Sequence, residues 1–165
     1  MRGWATFDPT RTYRYTLHRR WAPGGRRCCF VLLNPSTADA KLLDPTNRRV
    51  VAYARAWGFH AVETVNIFAL RSTDPKGLYR HPEPVGPGTD AAIRRAARRA
   101  DLVVCGWGEH GRLLDRGAAV LAMLRAARGV APKLAHLGLT KSLQPKHPLY
   151  LRADLRPVAM LPGDA

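Results

Sequence analysis

The stretch RRCCFVLLNPSTAD at residues 26–39 decides how the chain is read. Cys28 to Leu33 is a short, unbroken apolar run, the pattern of a strand buried on both faces. It stops at Asn34-Pro35-Ser36-Thr37, residues that favour turns and helix starts. A buried strand that delivers such a loop at its carboxyl end is where open α/β sheets place their chemistry.

Working outward, Thr12 to Trp21 partly alternates aromatic or apolar residues with polar ones, as a half-buried strand does. Ala22-Pro23-Gly24-Gly25 then turns the chain. This predicts a β-hairpin leading into the central strand, with Tyr13 to Leu17 as its antiparallel edge. Downstream, Asp44-Pro45 predicts a helix start, Asp as N-cap and Pro at the first helical position. Val50, Val51, Ala54 and Trp57 repeat at helical spacing, and Gly58 fits the stop. Val62 to Leu70 reads as a second strand that carries a polar Asn66. A long polar loop, 71–88, follows. Thr89 to Arg99 reads as a helix, Leu102 to Cys105 as a third strand ending in Gly106-Trp107-Gly108. Leu113 to Arg128 reads as a helix with Leu114, Ala118, Leu121 and Leu124 inward, and Lys133 to Leu139 as a fourth strand. The expected fold class is therefore α/β: a three-layer α/β/α sandwich with a mainly parallel four-stranded central sheet and an N-terminal antiparallel hairpin strand. It is expected as a single domain over 1–165, with a core at about 12–152 and a peripheral C-terminal tail.

Composition narrows the partners. Hydrophobic residues make up 46% of the 165, which excludes wholesale disorder. No apolar run approaches the roughly 20 residues of a membrane span, and the amino terminus lacks an apolar leader segment, so a cytoplasmic protein with no membrane partner is expected. Lys and Arg number 27 against 12 acids, a net charge of +15. Such a field attracts polyanions, and DNA or a nucleotide is the expected partner. A bland alternative is an Ala- and Arg-rich composition whose charges only solvate helix faces. The three cysteines lie in predicted buried strands with no metal-ligand spacing. They are expected to be reduced core residues, with no metal and no cofactor.

In a parallel sheet the carboxyl ends of the strands share one edge, which gathers four polar stretches. Asn34 offers a carbonyl that can orient a water. Asn66 has the donor and acceptor needed to read a base edge, and Trp107 or Phe68 can stack on a base. His147 can donate to developing negative charge or exchange a proton near neutral pH. Ser36 and Thr37 can present groups to a phosphate. Catalytic roles are thus expected for Asn34 and His147, and base binding for Asn66, Phe68 and Trp107.

LNPSTAD at 33–39, DPTNRR at 44–49, AWG at 56–58, NIFALRSTDP at 66–75, CGWG at 105–108 and LGLTKSLQPKHPLYL at 137–151 together resemble a bacterial and phage domain-of-unknown-function family, number sixteen forty-three. That family brings no established activity. A looser resemblance is to the uracil-DNA glycosylase superfamily, a three-layer α/β sandwich with its site at the same strand ends. Leu33-Asn34-Pro35-Ser36 is similar to its first motif, Asn66 to its base-reading Asn, and Trp107-Gly108 to a third-strand ending found in one branch. His147-Pro148-Leu149 is similar to its last motif, in which the apolar residue wedges into the duplex. The resemblance implies that Asn34 holds the attacking water and His147 stabilises the departing base. It also implies phosphate contacts from Arg48, Arg49, Lys141 and Lys146, with Leu149 as the wedge. The sequence departs from the superfamily where the best-known branch has a water-activating Asp: here Asn34 stands, and Asp39 or Asp44 is the available acid/base. The iron–sulfur cysteines of other branches are absent.

The expected function is hydrolysis of the N-glycosidic bond of a plain or modified nucleobase in DNA or a nucleotide. The competing expectations are a non-catalytic module that binds a modified base or nucleic acid, and a base-modifying enzyme of a phage-type DNA modification pathway.

Overall fold

A computed structural model describes residues 1–36, Ala38 and 41–164. Two residues with expected roles, Thr37 and Asp39, lie outside the described residues.

The described residues form a mixed α/β fold on one seven-stranded sheet, in the order β1-β2-β4-β3-β5-β6-β7. The strands are β1 Arg2–Phe7, β2 Arg14–Arg20, β3 Arg27–Leu32, β4 Ala61–Asn66, β5 Leu102–Gly106, β6 Leu134–His136 and β7 Val158–Ala159. β4, β3, β5 and β6 run parallel. β1, β2 and β7 are antiparallel additions at the two edges. The helices are α1 Pro45–Ala56, α2 Lys76–Arg80, α3 Thr89–Arg99 and α4 Arg116–Ala126.

The pleat of β3 divides the core. Cys28, Phe30 and Leu32 pack with Val50, Tyr53 and Ala54 of α1. Cys29 and Val31 pack on the other face with Ile93, Ala96 and Ala97 of α3 and Val120, Leu121 and Leu124 of α4. Successive strand side chains point to opposite faces, so an unbroken apolar run serves two helical layers at once. All three cysteines are unpaired and buried, and burial raises each thiol pKa. α1 starts as the Asp-Pro pair implies: Asp44 Oδ1 accepts from Asn47 N at 2.8 Å, and Pro45 is the first helical residue.

The sheet has more strands than the sequence predicts, and several local readings change. β2 is neither an edge strand nor the partner of β3. It pairs with β1 on one side and β4 on the other. The β3-α1-β4 crossover inserts β4 between β2 and β3, so the turn at 22–25 spans a strand rather than closing a hairpin. β1 leaves no clear mark in the sequence: its residues alternate between exposed and half-buried, but Trp4 stands on the exposed face, where a polar residue would have marked the period. Asp8 helps to close the β1–β2 turn by accepting from Tyr13 N at 2.8 Å.

The helix expected from Leu113 begins only at Arg116. Glu109–Asp115 form a 3₁₀ turn in which Leu113 and Leu114 leave helical conformation. Leu114 is 68% exposed, so it does not face inward, and Ala118 is exposed as well. The loop 71–88 contains α2. The C-terminal stretch runs along the sheet edge and is tied to the domain at three places: β7 pairs with β6, Tyr53 Oη donates to Arg152 O at 2.5 Å, and Trp57 Nε1 donates to Leu155 O at 3.0 Å. Among the described residues no helix is long and apolar enough to cross a membrane.

Candidate functional site

β3, β4 and β5 end at one edge of the sheet, and a cavity of about 480 Å³ opens there. Seven of the residues expected at a site line it: Asn34, Ser36, Asp44, Asn66, Trp107, His147 and Leu149.

The Asn-Pro loop is tied down on both sides. Asn34 Nδ2 donates to Pro35 O at 3.1 Å and Ser72 O at 2.8 Å, and Ser72 N donates to Pro35 O at 2.9 Å. The amide nitrogen is thereby spent on the loop, which leaves Oδ1 as the group Asn34 can offer a ligand. Ser36 Oγ donates to Asp44 Oδ2 at 2.6 Å. Asp44 Oδ1 takes both Asn47 N and Asn47 Nδ2, at 2.8 and 2.9 Å. Burial by itself raises the Asp44 pKa; the hydrogen bonds from Ser36 and Asn47 and the charge of Arg14 outweigh it, and the net shift is downward. Asp44 is therefore a carboxylate at neutral pH.

Asn66 ends β4 with its side chain almost wholly buried. Its Oδ1 faces Arg14 Nη2 at 3.5 Å, while Arg14 Nη1 donates to Ala38 O at 2.8 Å. No partner for Asn66 Nδ2 is found among the described residues.

A strap of chain brings in His147. Lys146 N donates to Gly138 O at 2.9 Å, and Gly108 N donates to Pro145 O at 2.8 Å. The strap lies so close to β5 that a Cβ on Gly106 would stand 3.2 Å from Lys146 O and from Pro148 Cδ. Gly108, at φ +70°, makes the turn that a side chain would strain. His147 is half-buried; burial lowers its pKa to about 4, against the opposing pull of the Asp44 charge. It is neutral at physiological pH. Leu149 N donates to its Nδ1 at 3.3 Å, so the ring proton sits on Nε2.

Trp107 is 1% exposed, and its Nε1 donates to Gln144 Oε1 at 3.0 Å. It forms a fixed wall of the cavity. Phe68 does not reach the site. It is fully buried in the core layer of α3 and α4. Asn66 and Phe68 are two residues apart, but the chain has left β4 between them, so strand alternation no longer places them together. Arg48, Arg49, Lys141 and Lys146 do not line the cavity. Arg48, Lys141 and Lys146 are exposed, and Arg49 lies 5.8 Å from the Tyr53 ring. Among the lining residues Arg14 is the sole Arg or Lys.

The sequence reading missed Arg14, Asn47, Thr64, Ser72 and Tyr150. Asn47 had a signal, since it falls three residues after the Asp44 cap. Thr64 Oγ1 donates to Asn47 Oδ1 at 3.2 Å, an antenna of the same network. Tyr150 had none; it stands 91% exposed at the cavity with φ +71°. Among the described residues no cluster of three His, Cys, Asp or Glu side chains is arranged to hold a metal.

Residues 14–149 match the family model described as "Protein of unknown function (DUF1643)", and the chain belongs to that family. No curated protein and no solved structure matches the chain.

Proposed function

We propose that this DUF1643 member binds a nucleobase in the cavity and hydrolyses its N-glycosidic bond, as a uracil-DNA glycosylase-like enzyme acting on DNA or a nucleotide. The observation that carries the reading is a neutral His147, its proton on Nε2, in one cavity with Asn34, Asp44 and Asn66. Polar groups are few and convergent against apolar walls from Leu32, Leu33 and Trp107, as in sites for small heterocycles. With Arg14 already engaged, the interior suits a neutral ring, and the phosphates stay outside.

In this mechanism Asn66 reads the edge of an extruded base. The C1′–N bond breaks through an oxocarbenium-like transition state. His147 Nε2–H donates to the negative charge that develops on the departing base. The Asp44 carboxylate stabilises the cationic sugar, and Asn34 Oδ1 orients the water that adds to C1′. The water proton leaves to solvent as the base is protonated. A neutral imidazole gives up no proton here; it acts as a fixed dipole.

Base release from oligonucleotides carrying uracil, hypoxanthine or hypermodified pyrimidines, single- and double-stranded, tests this. Release that His147→Ala removes supports it. Tight binding with no release from any substrate instead supports a recognition module. A specific observation favours that second reading: both Asp44 oxygens already accept hydrogen bonds, which makes it a weak base.

A further inference from the structure

The hairpin β1–β2 carries the sheet past β4, and a second groove of about 440 Å³ runs between this hairpin and α3. It shares no lining residue with the cavity at the strand ends. Trp4, Thr16 and His18 come from the hairpin, Arg95 and Arg99 from α3, and Arg27 from the start of β3.

Trp4 is 45% exposed, yet it is not loose. Its ring stacks on His18 at 4.4 Å with 10° between planes. His18 is held in turn: Nε2 lies 3.1 Å from Thr16 Oγ1, which lies 2.7 Å from Thr6 Oγ1. Burial, the largest cause, lowers the His18 pKa to about 4, so the stacked pair carries no charge at neutral pH.

The cations beside it are unequal. Arg99 is committed to the buried Glu63, with Nε to Oε2 at 2.8 Å and Nη2 to Oε1 at 2.5 Å. That pair cancels. The guanidinium groups of Arg27 and Arg95 have no hydrogen bond or ion pair among the described residues, and Arg95 is exposed. The groove thus offers two uncompensated positive charges beside a pre-positioned aromatic face.

Single-stranded nucleic acid is recognised by that combination of a cationic track and an aromatic platform. A duplex hides its base faces within the stack, so an exposed indole selects unpaired bases. We propose that this groove is a nucleic-acid contact surface separate from the cavity, with phosphates on Arg27 and Arg95 and an unpaired base stacked on Trp4. It stands on its own observations and does not require the cavity to be catalytic.

The test is binding of a fluorescein-labelled oligothymidylate across a range of salt concentrations. The double variant Arg27→Glu/Arg95→Glu is expected to bind at least ten-fold more weakly. Its slope of log affinity against log salt is expected to fall by about 1.4, at about 0.7 for each phosphate contact. Trp4→Ala is expected to lose roughly ten-fold, and Trp4→Phe to recover most of it, which separates stacking from misfolding. Wild-type affinity and slope in the double variant overturn the proposal, as does affinity indifferent to Trp4→Ala. Displacement by polyglutamate as readily as by oligothymidylate overturns it in favour of plain polyanion binding. Base release is read in parallel: if His147→Ala abolishes release while the groove variants bind normally, the groove fails and the cavity reading stands. If the groove variants lose binding while no substrate is cleaved, the groove stands and the catalytic reading fails.

Discussion

Ser36 Oγ donates a 2.6 Å hydrogen bond to Asp44 Oδ2, which couples the Asn-Pro loop to the first turn of α1. One carboxylate thereby caps a helix, anchors a loop and supplies negative charge to the cavity. These roles separate under substitution.

Asp44→Ala removes the cap and is expected to cost about 1 kcal/mol or somewhat more in urea unfolding. Asp44→Asn keeps a capping oxygen, so stability is expected to hold within about 0.5 kcal/mol of wild type. If the carboxylate stabilises a cationic sugar, Asp44→Asn still lowers base release by ten-fold or more, with binding little changed. Single-turnover kinetics beside equilibrium binding distinguish the two effects.

His147→Ala is expected to reduce base release by a factor of about 100 or more while oligonucleotide affinity changes less than about three-fold. An equal loss of both would assign the residue to binding alone. Because the imidazole is neutral down to a pH of about 4, release is expected to show no step near pH 6.5 from this group.

Stability should fall with acid in a defined window. His18 and His147 both have folded pKa values near 4, burial being the main cause in each, against about 6.5 in the unfolded chain. Between those values the unfolded state takes up protons that the folded state refuses, so stability is complete above pH 6.5 and declines as pH falls toward 4. The slope approaches at most about 1.4 kcal/mol per pH unit for each histidine. Asp44, whose folded pKa is lowered, contributes stability above its unfolded value and loses it at still lower pH. His18→Gln is expected to flatten the upper window, as followed by urea midpoints from pH 7.5 to 4.5.

Asn66 and Phe68 should behave oppositely. Phe68→Leu leaves a void in the core layer of α3 and α4 and is expected to cost about 1–2 kcal/mol, with ligand affinity unchanged. Asn66→Ala is expected to alter base preference with a smaller effect on stability. A change of base preference in Phe68→Leu would contradict its placement.

Gly111→Ala probes the cavity wall. A Cβ there would stand 2.0 Å from Trp107 Cδ1, and the indole is too enclosed to yield. Overpacking of this kind is expected to cost about 1–3 kcal/mol and to shift Trp107 fluorescence.

Much of the fold is written in local patterns. The apolar run 28–33, the Asp44-Pro45 start and the helical spacing of Val50, Val51 and Ala54 report burial and capping, which neighbouring residues settle among themselves. The gathering of Asn34, Asn66, Trp107 and His147 also followed from the sequence, because parallel strands place their carboxyl ends on one edge whatever else the chain does. Strand partners were beyond its reach. β4 stands between β2 and β3, and β7 closes the far edge, through pairings between segments distant in the chain, which no local pattern records. Likewise Phe68 and Trp107 are both aromatic residues at strand exits. Only the path of the backbone after β4, and Gly111 and Gly117, where a Cβ would stand 2.0 and 2.6 Å from the Trp107 ring, decide that one lies in the core and the other walls the cavity. The expected phosphate-binding cations stayed outside the cavity for the same reason: charge is legible in a sequence, while the direction in which a side chain presents it depends on the packed fold.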